Sequence, residues 1–377
     1  MYLRILDFVK RETVLCSSAL LAALSCCFVP PSKDYLHYID YRVLSLLFCL
    51  MTVIAGFSSI GVFRMLGERL LKKASSLRTL KLILVFLCFF SSMFITNDVA
   101  LLTFVPFTLM ILSMAERTDQ SIFLIVMETI AANLGSMLTP LGNPQNLYLY
   151  TISGMRITDF ILTMLPFSLV SLLLLTGLLI YRKNEPVSLK ENSTTAGTPV
   201  LSGKAFGGRF LIYLFLFALC LLTVLHLLPY QLVLILIVAA FLLVDRPILL
   251  KVDYALLLTF LCFFIFIGNL KNITPIHVLL SSIISGHEFI GSILASQCIS
   301  NVPAAVLLSG FTKHYAPLLI GVNAGGLGTL IASLASLISY KFYAGTPRSH
   351  SGQYIRAFTL YNLLFLLLLF FLYSLLY

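Results

Sequence analysis

Two short polar segments interrupt long apolar runs of this sequence and have the chemistry of an ion-binding site. The first is Thr96-Asn97-Asp98 and the second is Ser300-Asn301. Each joins a hydroxyl group to a carboxamide, so each offers oxygen atoms to a cation and O–H or N–H donors to an anion. Polar groups at such places are costly unless they bind something. The two segments therefore predict sites for a small ion.

A second polar pattern follows each of these segments. Asn133-Leu134-Gly135-Ser136 aligns with Asn323-Ala324-Gly325-Gly326, and Ile95-Thr96-Asn97 aligns with Ile299-Ser300-Asn301. Continuing from Asn133 without a gap places Thr139 on Thr329, Asn143 on Ser333 and Asn146 on Ser336. Similarity between two halves of a chain is how many transporters are built. The register predicts an internal repeat.

Glycine and proline residues cluster within the second pattern, where a helix would otherwise be continuous. Pro140, Gly142 and Pro144 stand in the first half, and glycines 321 to 328 stand in the second. Such residues unwind a helix, leaving carbonyls for a cation and the next half-helix N-terminus for an anion. Close packing of helices is the alternative explanation for the glycines.

These patterns define the candidate binding residues. The predicted substrate- and ion-binding residues are Thr96, Asn97, Asp98, Asn133, Gly135, Thr139, Asn143, Asn146, Ser300, Asn301, Asn323, Gly325 and Thr329. Sodium sites are predicted at Thr96, Asn97, Asp98 and Asn133, and at Ser300, Asn301 and Asn323. Sodium or a proton is the expected coupling ion, and no other cofactor is expected.

Asp98 has two possible roles. A carboxyl group at a tip within the membrane could load a proton or a sodium ion, or it could cap the helix that starts at Val99. An ionised Asp98 would repel an anion, so an anion would need a bound cation, a protonated Asp98 or a neutral form. Glu128 is a second carboxylate within an apolar run, where it either takes part in coupling or reaches toward the interface.

Composition makes this a membrane protein. The chain has 377 residues, of which 59% are hydrophobic and 11% charged, too little polar surface to cover a soluble domain. The eight cysteines lie in apolar stretches without C-x-x-C spacing, which argues against a zinc site or disulfide framework. The net charge of +10 lies mainly in loops on one side, so lipid rather than nucleic acid is the expected partner.

We predict an all-α polytopic membrane protein of two inverted-topology repeats, each with a re-entrant hairpin and a broken transmembrane helix. The N-terminal repeat is 1–183, with hairpin 77–115 and broken helix 121–153. A cytoplasmic linker covers 184–208. The C-terminal repeat is 209–377, with hairpin 287–311 and broken helix 315–343. Segments 66–76 and 274–285 are expected to lie flat at the interface.

The distribution of lysine and arginine in the loops predicts how the chain is oriented in the membrane. On the predicted outer side stand Lys33, Arg42, Arg156, Lys271 and Lys313, whereas most other lysines and arginines fall on the opposite side. Cytoplasmic loops are the ones enriched in Lys and Arg. The prediction is a multi-pass protein of the plasma (bacterial inner) membrane with a cytoplasmic N-terminus and an outer C-terminus.

The four polar motifs resemble those of the ion transporter superfamily, which includes citrate transporter-like proteins, divalent anion/sodium symporters, arsenite permeases and sodium/proton antiporters. The resemblance implies a homodimer with a scaffold domain and a mobile transport domain that works by an elevator motion. In the dicarboxylate branch the hairpin tips read Ser-Asn-Thr, whereas Asp98 and Val302 stand at the third position here. The arsenite branch is similar at the first tip, where it carries Asn-Asp.

We therefore predict a secondary active transporter of a small inorganic or organic anion or oxyanion, with a carboxylate favoured, coupled to sodium or protons. A sodium/proton antiporter and an arsenite-type efflux permease are the alternatives. An enzyme is not predicted: His287-Glu288-Phe289-Ile290-Gly291 lacks the second histidine of the H-E-x-x-H zinc motif. A channel is the remaining rival, and two broken halves favour alternating access over it.

Overall fold

The computed structural model describes residues 12–71, 76–182, 184–185, 204–347 and 349–377. Residues 186–203 of the predicted linker and 72–75 of the first predicted interfacial segment lie outside these ranges. Within them the chain is helical and forms no β-strand, so the all-α prediction is confirmed.

The helices of the first half run from residue 13 to residue 181. They are α1 (Thr13–Cys26), α2 (Tyr35–Tyr38), α3 (Tyr41–Ser59), α4 (Val62–Leu71), α5 (Leu77–Ile95), α6 (Asn97–Met114), α7 (Ser121–Ser136), α8 (Pro144–Ser153) and α9 (Ile157–Tyr181).

The helices of the second half run from residue 204 to residue 376. They are α10 (Lys204–Val224), α11 (Tyr230–Val244), α12 (Arg246–Leu249), α13 (Tyr254–Asn272), α14 (Thr274–Ile284), α15 (Glu288–Ile299), α16 (Asn301–Leu308), α17 (Tyr315–Gly325), α18 (Leu334–Ala344) and α19 (Ser351–Leu376).

Several helices have the length and composition of membrane spans. Among the described residues seven helices qualify, namely α3, α5, α6, α9, the Phe206–Val224 part of α10, α13 and α19. The most apolar stretch of α19 is only 17% buried, and leucines such as Leu360 and Leu211 face outward. Apolar surface of this extent requires lipid as the solvent. The chain is a multi-pass membrane protein.

Each half contains a helical hairpin with an unusual backbone at its tip. Thr96, between α5 and α6, has φ 62° and ψ 147°, and Ser300, between α15 and α16, has φ 73° and ψ 155°. A positive φ is strained for a residue with a side chain and persists where surrounding contacts enforce it. The two tips therefore share one local geometry.

Each half also contains a helix that stops and restarts. Residues 137–143 separate α7 from α8, and residues 326–333 separate α17 from α18. The restart of α8 is encoded locally: Asn143 is its N-cap and accepts a hydrogen bond from the backbone N–H of Asn146 (2.9 Å), and Pro144 is its first residue. The chain thus exposes backbone polar groups in two unwound segments.

Small residues bring each hairpin close to its broken helix. The first arm of each hairpin packs along the first part of the broken helix, α5 on α7 and α15 on α17. A Cβ atom on Gly135 would lie 2.1 Å from the carbonyl oxygen of Phe89, and one on Gly325 would lie 2.6 Å from Oγ of Ser296. Both glycines are therefore needed for helix packing, which was the alternative explanation given for them above.

Candidate functional site

The hairpin tips are joined to the unwound segments by backbone hydrogen bonds. The N–H of Asn97 donates to the carbonyl of Gly142 (3.0 Å), and the N–H of Asn301 donates to the carbonyl of Ala332 (2.9 Å). Gly142 and Ala332 occupy matching positions when Thr139 is aligned with Thr329. These bonds hold each strained tip against a segment whose carbonyls are free of helical partners.

A buried amide network connects the first tip to both halves. Nδ2 of Asn97 donates to Oδ1 of Asn133 (2.9 Å). The same oxygen accepts from Oγ of Ser333 (3.2 Å), and Nδ2 of Asn133 donates to Oγ of Ser336 (3.4 Å). All four side chains are at most 5% exposed. Asn133 thus links the hairpin of the first half to α18 of the second.

A second set of amides crosses between the halves in the same region. Nδ2 of Asn143 donates to Oδ1 of Asn323 (3.1 Å) and to Oγ of Ser136 (3.2 Å). Nδ2 of Asn323 donates to Oδ1 of Asn146 (2.7 Å). Nδ2 of Asn146 lies within 3.1–3.3 Å of three carbonyl oxygens, one at the last residue of α7 and two in the first unwound segment. The asparagines therefore bind the two breaks to each other.

One oxygen of this network has no hydrogen-bond partner. Oδ1 of Asn97 is buried, and no described donor reaches it. A buried carboxamide oxygen without a donor is costly, by about 1–3 kcal/mol. Oxygen atoms of this kind are ligands for hard cations such as sodium. The first tip therefore presents an acceptor whose chemistry fits a cation.

A cavity of about 570 Å³ leads to this region. It is lined by Thr96, Asp98 and Asn143, together with Leu334 at the start of α18. Its other polar lining residues include Glu12, Lys251, Asp253 and Lys341. The cavity therefore joins charged groups of both signs to the first tip and to the N-terminal ends of α8 and α18.

The second tip makes a smaller set of contacts. Oγ of Ser300 lies 3.4 Å from Oδ1 of Asn301 and 3.4 Å from the carbonyl of Ala332. A Cβ atom on Gly326 would lie 2.9 Å from Nδ2 of Asn301. Ser300 and Asn301 are buried, but within the described chain neither bonds to the amide network of Asn133 and Asn323.

The side chains of the two predicted threonines of the unwound segments lie apart from the amide network, although the backbone carbonyl of Thr139 accepts from Nδ2 of Asn146 (3.1 Å). Oγ1 of Thr139 donates to the carbonyl of Met93 in α5. Thr329 is exposed, and its backbone N–H donates to Oε1 of Gln297 (2.9 Å). Both threonines therefore contact hairpin arms, and the structure does not bring them to the center of the network.

Gln297 is a residue that the sequence reasoning missed. Its Nε2 donates to the carbonyls of Gly325 (2.8 Å) and Leu327 (2.9 Å), and its Oε1 accepts from Thr329. One side chain of α15 thus satisfies three backbone groups, one at the last residue of α17 and two in the second unwound segment. Its position as a polar residue in an apolar helix could have drawn attention to it.

Comparison with known proteins identifies the family of this arrangement. The profile described as "Citrate transporter" matches residues 5–339. The chain belongs to the citrate transporter family. It is therefore a membrane transporter, in agreement with the resemblance noted from its motifs.

Relatives of this citrate transporter family member extend the comparison. The uncharacterized transporter MJ0456 of Methanocaldococcus jannaschii is 36% identical over 318 residues, 84% of each chain. The inner membrane protein YbiR of Escherichia coli is 32% identical over 318 residues, 83% of each chain. The silicon efflux transporter LSI3 of Oryza sativa subsp. japonica is 34% identical over 136 residues, 36% of this chain and 27% of that protein.

Proposed function

We propose that this chain is a secondary active transporter that moves a small anion or oxyanion, with a carboxylate favoured, together with sodium or protons. The observation that carries the proposal is the buried Oδ1 of Asn97, an acceptor without a described donor at the tip of the first hairpin. A sodium ion there would satisfy this oxygen and place a positive charge beside the cavity. Thr96, Asp98 and Asn133 are the proposed further contributors.

The proposed anion site lies where the cavity meets the two restarting helices. Helix N-termini favour negative charge because their first N–H groups lack intrahelical partners. Ser333, the N-cap of α18, makes no side-chain cap bond, because its hydroxyl is directed to Asn133. Asn143 and Leu334 mark the two helix starts on the cavity wall. This arrangement supports binding of an anion beside a cation held by the first tip.

Asp98 sets a condition on the anion. It lines the same cavity as the proposed anion site, and two negative charges in such a site repel each other. A co-bound sodium ion or a protonated Asp98 removes this repulsion. Coupling of anion movement to a cation therefore follows from the composition of the site.

The transport cycle that we propose is an elevator motion in a homodimer, with the two halves as inverted repeats. The matched tips at Thr96 and Ser300 support a repeat, and the proposed second ion site lies at Ser300, Asn301 and Asn323. In the predicted orientation, at the bacterial inner membrane with a cytoplasmic N-terminus, Lys251 and Lys341 of the cavity lie on the cytoplasmic side. This supports the proposal that the conformation is open to the inside.

A thermal-shift experiment on the purified protein in detergent tests the cation site. Sodium is compared with choline at constant ionic strength, for the wild type, Asn97→Ala and the matched control Asn272→Ala. Asn272 is an exposed residue outside both hairpin tips, and its Nδ2 donates to the hydroxyl of Tyr38 (2.6 Å). Sodium should raise the Tm of the wild type and of the control but leave that of Asn97→Ala unchanged. A sodium response that survives in Asn97→Ala contradicts the site.

The same assay identifies the substrate class. Citrate, succinate, malate, sulfate and phosphate are added in sodium and in choline buffer. A ligand at 100 times its Kd stabilises the native state by about 2.7 kcal/mol. Stabilisation by a carboxylate in sodium but not in choline is the expected outcome. Absence of any anion effect in both buffers contradicts the proposal of an anion transporter.

A neutral hydroxylated acid is the second candidate substrate. Asp98 and Asp253 line one cavity, which suits a neutral solute better than an anion if no cation is bound. One relative is named a silicon efflux transporter, and another, 28% identical over 42% of this chain, is a putative transporter arsB of Dictyostelium discoideum. Silicic and arsenous acids are therefore included in the screen. Stabilisation by either acid in choline buffer would favour this candidate over the first.

A further inference from the structure

Glu128 is a buried carboxyl group that the proposed binding site does not use. It lies on α7 and is fully buried, with 0% of its surface exposed. Oγ1 of Thr108, on the neighbouring α6, donates to its Oε1. Its Oε2 is also buried and has no partner among the described residues. One of the two carboxyl oxygens thus accepts a hydrogen bond, and the other has no described donor.

Among the described residues, no positive charge pairs with Glu128. The titratable groups that face it are Cys88 on α5 and Tyr354 on α19. In the part of the chain described here, no lysine, arginine or histidine forms an ion pair with it or acts on its charge. Lys81, the buried cation of α5, donates to Oε1 of Gln120 instead (2.8 Å).

Tyr354 carries a hydroxyl group in the surroundings of the carboxyl. This hydroxyl is buried and interacts with Thr129 of α7, whose own hydroxyl donates to the carbonyl of Ile125 (2.7 Å). Its ring is held between other aromatic rings, stacked on Tyr343 at 4.9 Å and tilted against Tyr340 at 5.6 Å, both measured between ring centroids. Tyr340 and Tyr343 belong to α18, so aromatic rings of α18 hold Tyr354 in place.

An ionised carboxylate in this place would be costly. Burial of an unpaired charge costs several kcal/mol even after relaxation, and in a membrane protein the surrounding lipid removes the compensation that water gives. Protonation eliminates the charge and converts one carboxyl oxygen into an O–H donor.

We propose that Glu128 is a proton-binding site, separate from the hairpin tips, that holds its proton while α7 stays packed on α6 and α19. The step is simple protonation: the carboxylate takes one proton to form the carboxylic acid and releases it when water reaches the group. Glu128 lies five residues before Asn133 on the same helix. Its use as a coupling proton rests on the transporter function proposed above, whereas proton binding itself does not.

Infrared spectroscopy of the purified full-length protein in detergent tests the proposal. Hydrogen–deuterium difference spectra are recorded at neutral pH for the wild type, Glu128→Gln and Asp98→Asn. The wild type should show the C=O stretch of a buried protonated carboxyl group. A component of this band should be lost in Glu128→Gln and kept in Asp98→Asn. A wild type without the band, or a C=O band that is unchanged by Glu128→Gln, overturns the proposal.

A second variant covers the case in which Glu128→Gln does not fold. Thr108→Val removes the donor to Oε1 but keeps the carboxyl group, so the C=O band should remain and move to higher frequency. An unshifted band would mean that it belongs to another carboxyl group, which overturns the assignment. Failure of the anion screen with a positive infrared result leaves proton binding in place and rejects only the proposed anion transport.

Discussion

Asn143 and Asn323 form a direct hydrogen bond between the two halves of the chain, from Nδ2 of Asn143 to Oδ1 of Asn323 over 3.1 Å. The residues are 180 positions apart in sequence. Asn143 starts α8 and Asn323 stands two residues before the end of α17, so the bond ties one helix break to the other. Both side chains are buried, which makes any loss of the bond expensive.

Replacing either asparagine should therefore destabilise the protein. Asn143→Ala and Asn323→Ala should each lower the free energy of unfolding by about 1–3 kcal/mol, because each leaves a buried amide group unpaired. The loss in the double variant should be smaller than the sum of the single losses by about 0.5–3 kcal/mol. Chemical unfolding in detergent measures all three. Additive losses, as expected for Asn323→Ala combined with Asn272→Ala, whose hydrogen bond goes to Tyr38 and not to the network, would contradict direct coupling.

A methyl group at Gly135 should be far more damaging than one at Gly177. The added Cβ of Gly135→Ala meets the Phe89 backbone at 2.1 Å, whereas nothing described lies within 4 Å of a Cβ on Gly177 in α9. Overpacking of this kind costs about 1–3 kcal/mol or more. Gly177→Ala should be neutral or stabilising by up to about 1 kcal/mol, through helix propensity. Thermal unfolding of both variants measures the difference, and equal Tm values would contradict the close approach of α5 to α7.

The corresponding change at Gly325 should be rescued by a second substitution. Its added Cβ meets the side chain of Ser296, at 2.6 Å from Oγ and 2.8 Å from Cβ, rather than a backbone carbonyl. Ser296→Gly removes both atoms, so it should restore part of the Tm that Gly325→Ala loses. Ser92→Gly should not rescue Gly135→Ala, because the Phe89 carbonyl remains. Rescue of both variants, or of neither, would contradict these contacts.

Loss of Gln297 should loosen the second unwound segment. Gln297→Ala removes the acceptor of the Thr329 N–H and the donor to Gly325 and Leu327. Amide protons lose protection from exchange when their hydrogen bonds are removed. Hydrogen–deuterium exchange of peptides that cover 326–333 should accelerate several-fold. Gln231→Ala, an exposed glutamine of α11, is the control and should leave this exchange unchanged; unchanged exchange in Gln297→Ala would contradict the role of the side chain.

The sequence predicted the membrane fold because hydrocarbon leaves few alternatives. Apolar runs as long as 77–115 cannot be soluble, and backbone polar groups in lipid require helices. A polar tip such as Thr96-Asn97 within one run also marked where the chain turns. Local composition was sufficient to predict the helices and the first turn, because the cost of burying polar groups in lipid leaves no other arrangement of the backbone.

The direction of each side chain was not available from the sequence. Thr139 and Thr329 match when the two halves are aligned, yet neither side chain reaches the amide network, and Thr329 is exposed. Gln297 was missed because its counterpart in the first half is Met93, whose backbone carbonyl accepts from Thr139. A side chain in one half thus contacts the unwound segment where a main-chain group does so in the other. Residue matching identifies positions, and packing decides what each position contacts.

His226 should make the stability of the protein depend on pH. It lies between α10 and α11, where burial, followed by the charge of Arg42, lowers the pKa of its imidazole from the usual value. Nη2 of Arg42 contacts its Nδ1, so the neutral ring serves as the acceptor. The unfolded chain then binds more protons than the folded chain. The stabilisation from the neutral His226 is present above about pH 6.5 and is lost as the pH falls through the lowered pKa.

The variant His226→Asn tests this dependence. It keeps an acceptor at a residue with φ 63°, a conformation that asparagine tolerates. Its Tm should fall less than that of the wild type between about pH 7 and 5. His37→Asn is the matched control and should fall as the wild type does; an equal fall in His226→Asn would show that this histidine does not carry the dependence.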